Sequence, residues 1–134
     1  YGGGFVVAWT GDPMATVYAR RYTAAGLPDG APFLVGKSNY GVKEPLALTV
    51  LDDDRFLIGW TKSLVDDIYA RVFGRTAASD GGEFRVNALK GATEHLRPAA
   101  LALSERNVFL MWESHTFGAQ PQVMLQRLDF PSTP

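Results

Sequence analysis

The 134 residues contain no cysteine, which excludes a disulfide framework and any thiolate metal site and leaves the redox compartment unread. Charge of one sign is also lacking: 13 Lys and Arg stand against 14 Asp and Glu. A chain this balanced has no basic excess to track a phosphate backbone or an anionic lipid surface, so neither nucleic acid nor membrane insertion is expected. No run approaches the roughly 18 to 20 apolar residues of a membrane helix. The opening Tyr1-Gly2-Gly3-Gly4 puts no basic region ahead of an apolar one, as a secretory leader would. The sequence does not start with Met and reads as a processed or excised piece.

Catalytic signatures are equally scarce. His95 and His115 are the two histidines; they lack His-x-x-x-His spacing and need carboxylate help to make a three-ligand zinc site. Ser104, Ser114 and Ser132 lie in no nucleophile-elbow context. The glycine-rich start leads into no helix, so it is no phosphate loop. Glu44, Glu94 and Glu113 are candidates for an acid and base pair of the kind glycosidases use, with nothing in the sequence to fix their separation.

What is present is repetition. Gly4-Phe5-Val6-Val7-Ala8-Trp9 returns as Arg55-Phe56-Leu57-Ile58-Gly59-Trp60 and as Asn107-Val108-Phe109-Leu110-Met111-Trp112. Trp9 and Trp60 are 51 positions apart, Trp60 and Trp112 52 apart. Val17-Tyr18-Ala19-Arg20-Arg21-Tyr22 returns as Ile68-Tyr69-Ala70-Arg71-Val72-Phe73, and more loosely as Val123 to Leu128. Asp29-Gly30-Ala31-Pro32-Phe33-Leu34-Val35 matches Asp80-Gly81-Gly82-Glu83-Phe84-Arg85-Val86, and the Pro-led Pro45 to Leu51 is answered by Pro98 to Leu103. Each segment has strand length, is rich in β-branched and aromatic residues, and is bounded by Gly, Pro, Asp and Ser. Even the alanine- and leucine-rich Pro98 to Arg106 alternates strictly and reads as strand. Phe5, Val7 and Trp9 face one way and Val6 and Ala8 the other, so the opening strand is apolar on both faces and belongs to a sheet packed between two others.

The predicted fold is therefore all-β. It is a single repeat domain of antiparallel four-stranded units of about 51 residues, approximately 1–40, 41–92 and 93–134, the first lacking its first strand and the last its fourth. A four-stranded unit at this period suits a β-propeller blade, and blades bury their faces only against neighbours. Open faces imply partners: further blades of a longer protein, a second chain, or a homo-oligomer. A β-sandwich is the alternative.

The run Gly-Gly-Gly-Phe-Val-Val-Ala-Trp, then Val-Tyr-Ala-Arg-Arg-Tyr, then Asp-Gly-x-x-Phe-x-Val and a Pro-led strand, over nearly the whole chain, resembles a tandem repeat of large secreted bacterial surface proteins. The resemblance implies a propeller-like fold and a secreted or cell-surface location, and brings no catalytic residues. The third unit departs from the pattern at Met124 and Leu125, and the nonapeptide calcium repeats often found beside such units are missing. The Ser-x-Asp-x-Gly-x-x-Trp box of sialidase-type propellers has no match, since Ser79-Asp80-Gly81-Gly82 is followed by no tryptophan.

Three groups of residues are candidates for function. Tyr18, Arg20, Tyr69 and Arg71, with Arg21, Tyr22 and Arg127 alongside, offer rings and guanidinium forks to a sugar or an anion, or else cover an outer sheet face with packed stems and wet heads. Asp52, Asp53 and Asp54, with Asp66 and Asp67 further on, offer oxygen ligands to calcium as a cofactor, or form a solvated turn. Phe5, Trp9, Phe56, Trp60, Phe109 and Trp112 hold repeating places, which points to core or blade-interface packing. The expected function is a non-catalytic propeller-type module, scaffold or binding surface. The alternatives are part of an extracellular carbohydrate-active enzyme, or a sugar-binding lectin with one site per blade.

Overall fold

The computed structural model describes residues 3–11, 16–38, 41–51, 53–63, 66–79, 81–88, 93–104 and 106–131. Their strands are β1 (Phe5–Gly11), β2 (Thr16–Tyr22), β3 (Phe33–Lys37), β4 (Val42–Val50), β5 (Phe56–Lys62), β6 (Asp67–Phe73), β7 (Phe84–Arg85), β8 (Thr93–Ala102), β9 (Asn107–Thr116) and β10 (Gln122–Asp129). They form three antiparallel sheets of neighbouring strands: β1-β2-β3, β4-β5-β6-β7 and β8-β9-β10. Among the described residues, four strands are found in the middle sheet alone, and no sheet closes on itself. The all-β, antiparallel expectation therefore holds.

The period seen in sequence is a period in hydrogen bonding. Trp9 sits opposite Tyr18, Trp60 opposite Tyr69 and Trp112 opposite Met124. The turn after β2 closes with Thr23 N–H on the Leu27 carbonyl at 2.9 Å, and the turn after β6 with Gly74 N–H on Ala78 at 2.8 Å. At the left-handed position of these turns stand Gly26 (φ 78°) and Ala77 (φ 62°). The β4–β5 and β8–β9 hairpins close alike, Leu51 N–H on Arg55 and Leu103 N–H on Asn107. In the first of these Asp54 takes φ 65°, which Asp tolerates better than most residues. The Pro-led strands slip register between Lys43 and Ala47 and between Leu96 and Ala99, because proline has no N–H for the ladder and is admitted at a bulge.

The core lies on the two faces of the middle sheet. Toward the first sheet, Val42, Phe56, Ile58, Trp60 and Phe73 pack with Val17, Ala19 and Val35. Toward the third, Ala47, Leu51, Leu57, Ile68, Ala70, Val72 and Val86 pack with Val108, Leu110 and Trp112. Phe56 through Thr61 are consequently all buried, as a strand apolar on both faces demands. In β1 the same pattern has one face covered and one open, with Phe5 and Val7 44% and 41% exposed. The molecule is a three-layered stack whose outer layers each present an apolar face to solvent.

Candidate functional site

The stacking of the first sheet on the second is built from repeat positions. Phe56 and Phe73, opposite each other on β5 and β6, stack with centroids 5.3 Å apart and planes 13° from parallel, within the roughly 4.5–7 Å of favourable ring pairs. Phe33 of β3 leans on both, at 6.2 and 5.2 Å. Trp60 lies against Gly36, where a Cβ would overlap the indole; a glycine is needed there for close approach and not for its backbone angle. Arg71 crosses the interface. Its Nη1 donates to the Val35 carbonyl at 3.1 Å, while Nε reaches Ser79 Oγ at 3.0 Å and the Gly81 carbonyl at 3.3 Å. Lys62 lies 4.0 Å over the Tyr69 ring and pairs with Glu83.

On the outer face of the first sheet the same residues recur with no sheet against them. Phe5 and Tyr22 stack at 5.1 Å and 7° in the places of Phe56 and Phe73. Trp9 and Tyr18, at 6.3 Å, hold the places of Trp60 and Tyr69. Arg20 donates from Nε to the Gly30 carbonyl at 2.9 Å, the counterpart of Gly81, and lies 5.8 Å over Tyr22. Its terminal nitrogens have no hydrogen-bond partner among the described residues, whereas those of Arg71 hold the next sheet. Of the four predicted ligand-binding residues, Tyr18 and Arg20 thus share the open face, and Tyr69 and Arg71 lie between two sheets.

Between the second and third sheets a polar network takes over from Gly36. Asn87, 51 positions on, is buried; its Oδ1 accepts from Ile68 N–H and its Nδ2 donates to Asp67 Oδ1, both at 2.7 Å. Trp112 donates from Nε1 to Nδ1 of buried His95 at 3.2 Å, with the two ring planes perpendicular. The indole N–H of Trp60 has no partner among the described residues.

The outer face of the third sheet is apolar around Leu101, Val123 and Leu125, which are 53%, 77% and 55% exposed. Val123 and Leu125 occupy the places of Val17 and Ala19 in the first sheet and of Ile68 and Ala70 in the second, all four fully buried. Counting back from the tryptophans puts Val108, not Phe109, in the place of Phe56. Phe109 and Phe5 accordingly stand on outward faces, Trp9 beside Phe5, while Phe56, Trp60 and Trp112 are buried. Similarly Gln126, not Arg127, falls at the position of Arg71.

Farther along β9, Glu113 accepts from Arg97 at 2.8 Å and lies 2.9 Å from His115 Nε2. The His115 bond, with Arg97 assisting, holds the Glu113 carboxyl below its ordinary range. Beside it a shallow cavity of about 290 Å³ is lined by Glu94, His115, Thr116, Phe117 and Ala119. The Glu44 side chain lies outside the described residues. So does Asp52; Asp53 is bound to Arg55 at 2.7 Å and Asp54 lies 3.5 Å from Arg75. Among the described residues no three His, Asp or Glu side chains gather where a metal ion could be held, and no helix is long and apolar enough to cross a membrane.

Gly36 and Asn87 carry no signature of their own in the sequence, and His95 stands there only as a histidine without zinc-ligand spacing. Gly36 and Asn87 hold equal places in the repeat, 51 positions apart, and that spacing is the one trace they leave in the sequence.

No family model matches the chain, and no curated protein matches it. Among solved structures it is similar to the endo-arabinase from Bacteroides thetaiotaomicron VPI-5482, with 15% identity and a TM-score of 0.41, over 97% of this chain and 52% of that one. The chain thus spans about half the length of that protein.

Proposed function

We propose that this chain is a run of consecutive propeller-type blades, a non-catalytic repeat module of a secreted or surface-exposed bacterial protein that serves as scaffold or binding surface. The observation that carries this reading is the recurrence of Phe5, Trp9, Tyr18, Arg20 and Tyr22 as Phe56, Trp60, Tyr69, Arg71 and Phe73, open in one sheet and seated against a neighbour in the next. Packing residues repeat from unit to unit; side chains suited to catalysis do not. Serial sheets whose faces are complete only against one another are the physical basis of a blade. A panel of polysaccharides, arabinan included, tests the non-catalytic part. Turnover by the purified chain would refute it, and no turnover is expected.

A second reading, sugar binding, is favoured by the stacked Phe5 and Tyr22 rings beside the terminal nitrogens of Arg20. It places one site on the open face of the first sheet, not one on every blade, since Arg71 is taken up between sheets. Glycan-array binding lost in Tyr22→Ala would support it, and an array without signal would refute it.

A further inference from the structure

The two outer faces are the two halves of an interface that this chain already builds inside itself. In the filled instance, the first sheet presents Val17, Ala19 and Val35, and the second meets them with the Phe56, Trp60, Tyr69, Arg71 and Phe73 face. The outer face of the first sheet repeats the receiving half, down to an Arg20 whose Nε is bonded as in Arg71 and whose terminal nitrogens lack the partner that Arg71 finds across the interface. The outer face of the third sheet repeats the presenting half through Val123 and Leu125, which are exposed only there. That sheet ends on β10, an edge strand in the place of β2; among the described residues no strand stands in the place of β3, which carries the Val35 carbonyl that Arg71 reaches.

We infer that a second copy of this chain docks head to tail, with the outer face of its third sheet, around Val123 and Leu125, on the outer face of the first sheet, around Val7, Trp9 and Arg20. The halves differ, so the contact is heterologous: one copy receives with one end and presents with the other, and such contacts either close into rings or run on as filaments. Two copies of three sheets would close as six, within the roughly four to eight blades of propellers. Closure by two copies rests on the blade reading given above; the pairing of the faces rests on the internal interface alone.

Light scattering on the whole chain across micromolar concentrations tests this. A mass of twice 14.6 kDa, or a higher multiple, is expected, and a monomer throughout would overturn the inference while leaving the non-catalytic reading to its own turnover assay. Val7→Glu spoils the receiving face and Leu125→Glu the presenting face; both side chains are at least two-fifths exposed, so the fold should survive, as circular dichroism would verify. Each variant alone is expected to be monomeric, and an equimolar mixture to form a one-to-one pair through the one intact junction. A mixture that stays monomeric would overturn the inference, as would assembly blocked by Val7→Glu but not by Leu125→Glu, which would mean like faces pair. Polysaccharide binding to a wild-type monomer, lost in Val7→Glu, would assign the face to sugar and overturn it as well.

Discussion

Replacing Gly36 with alanine would press a methyl group into the indole of Trp60. The new Cβ would overlap Cζ2 and lie 2.9 Å from Cη2 and 3.0 Å from Cε2. Trp60 is fully buried among side chains of two sheets, so the ring can retreat only by moving a neighbour. Overpacking of this kind costs about 1–3 kcal/mol. Alanine recovers about 0.5–1 kcal/mol by restricting the unfolded chain. Because the overlap is with three atoms of an enclosed ring, the upper end of the overpacking range applies, and the net loss should be about 2 kcal/mol, read as a lower midpoint in urea at unchanged slope. The cause is specific, so Trp60→Phe, which removes the overlapping atoms, should make Gly36→Ala nearly neutral, with a coupling of about 1 kcal/mol or more. A Gly36→Ala chain as stable as wild type, or two losses that simply add, would refute the close seating of Trp60 on β3.

Three further outcomes follow from the same packing. Asn87→Ala leaves the buried Ile68 N–H without its acceptor and Asp67 Oδ1 without its amide donor, and should cost about 2–3 kcal/mol; the Ile68 amide should exchange faster by NMR, and an unchanged rate would contradict the network. Ala77→Gly relieves a left-handed residue at φ 62° where the first unit already has glycine, and should stabilise by about 0.5–1 kcal/mol in thermal unfolding. The Glu113 carboxyl is held below its ordinary value by His115 and Arg97, so its contribution is fully present above the ordinary carboxylate range and is lost as pH falls through the lowered folded value. The melting-temperature difference between wild type and Glu113→Gln should therefore be small, largest near neutrality, and shrink on acidification; a difference that grows in acid would contradict the cluster.

Much of the fold was legible because a repeat announces itself twice. The 51-residue spacing of Trp9 and Trp60 carried over to strand register, to turn hydrogen bonds and to the bulges at Pro45 and Pro98. Burial was less legible. Phe5 and Phe56 have the same local sequence signal and opposite surroundings, because which sheet covers a face is decided by its place in the stack and not by the strand's own residues. The candidate binding set suffered in the same way: Tyr18 with Arg20 and Tyr69 with Arg71 read alike, yet one pair is open and the other lies between sheets. In the third unit Val108 and Gln126 stand at the places of Phe56 and Arg71, while the matching residue types, Phe109 and Arg127, lie one position further on, so residue type and repeat position point to different residues there.

One interface is built from repeated residues, filled on the second sheet and open on the first. Denaturant unfolding of Arg71→Ala and Arg20→Ala, at concentrations dilute enough to keep copies apart, tests it most directly. Both arginines lie over a ring and hold a loop carbonyl, but only Arg71 bonds across to another sheet. Arg71→Ala should lose about 1.5–3 kcal/mol more than Arg20→Ala, the range for a hydrogen bond to a charged group. Equal losses would contradict the account.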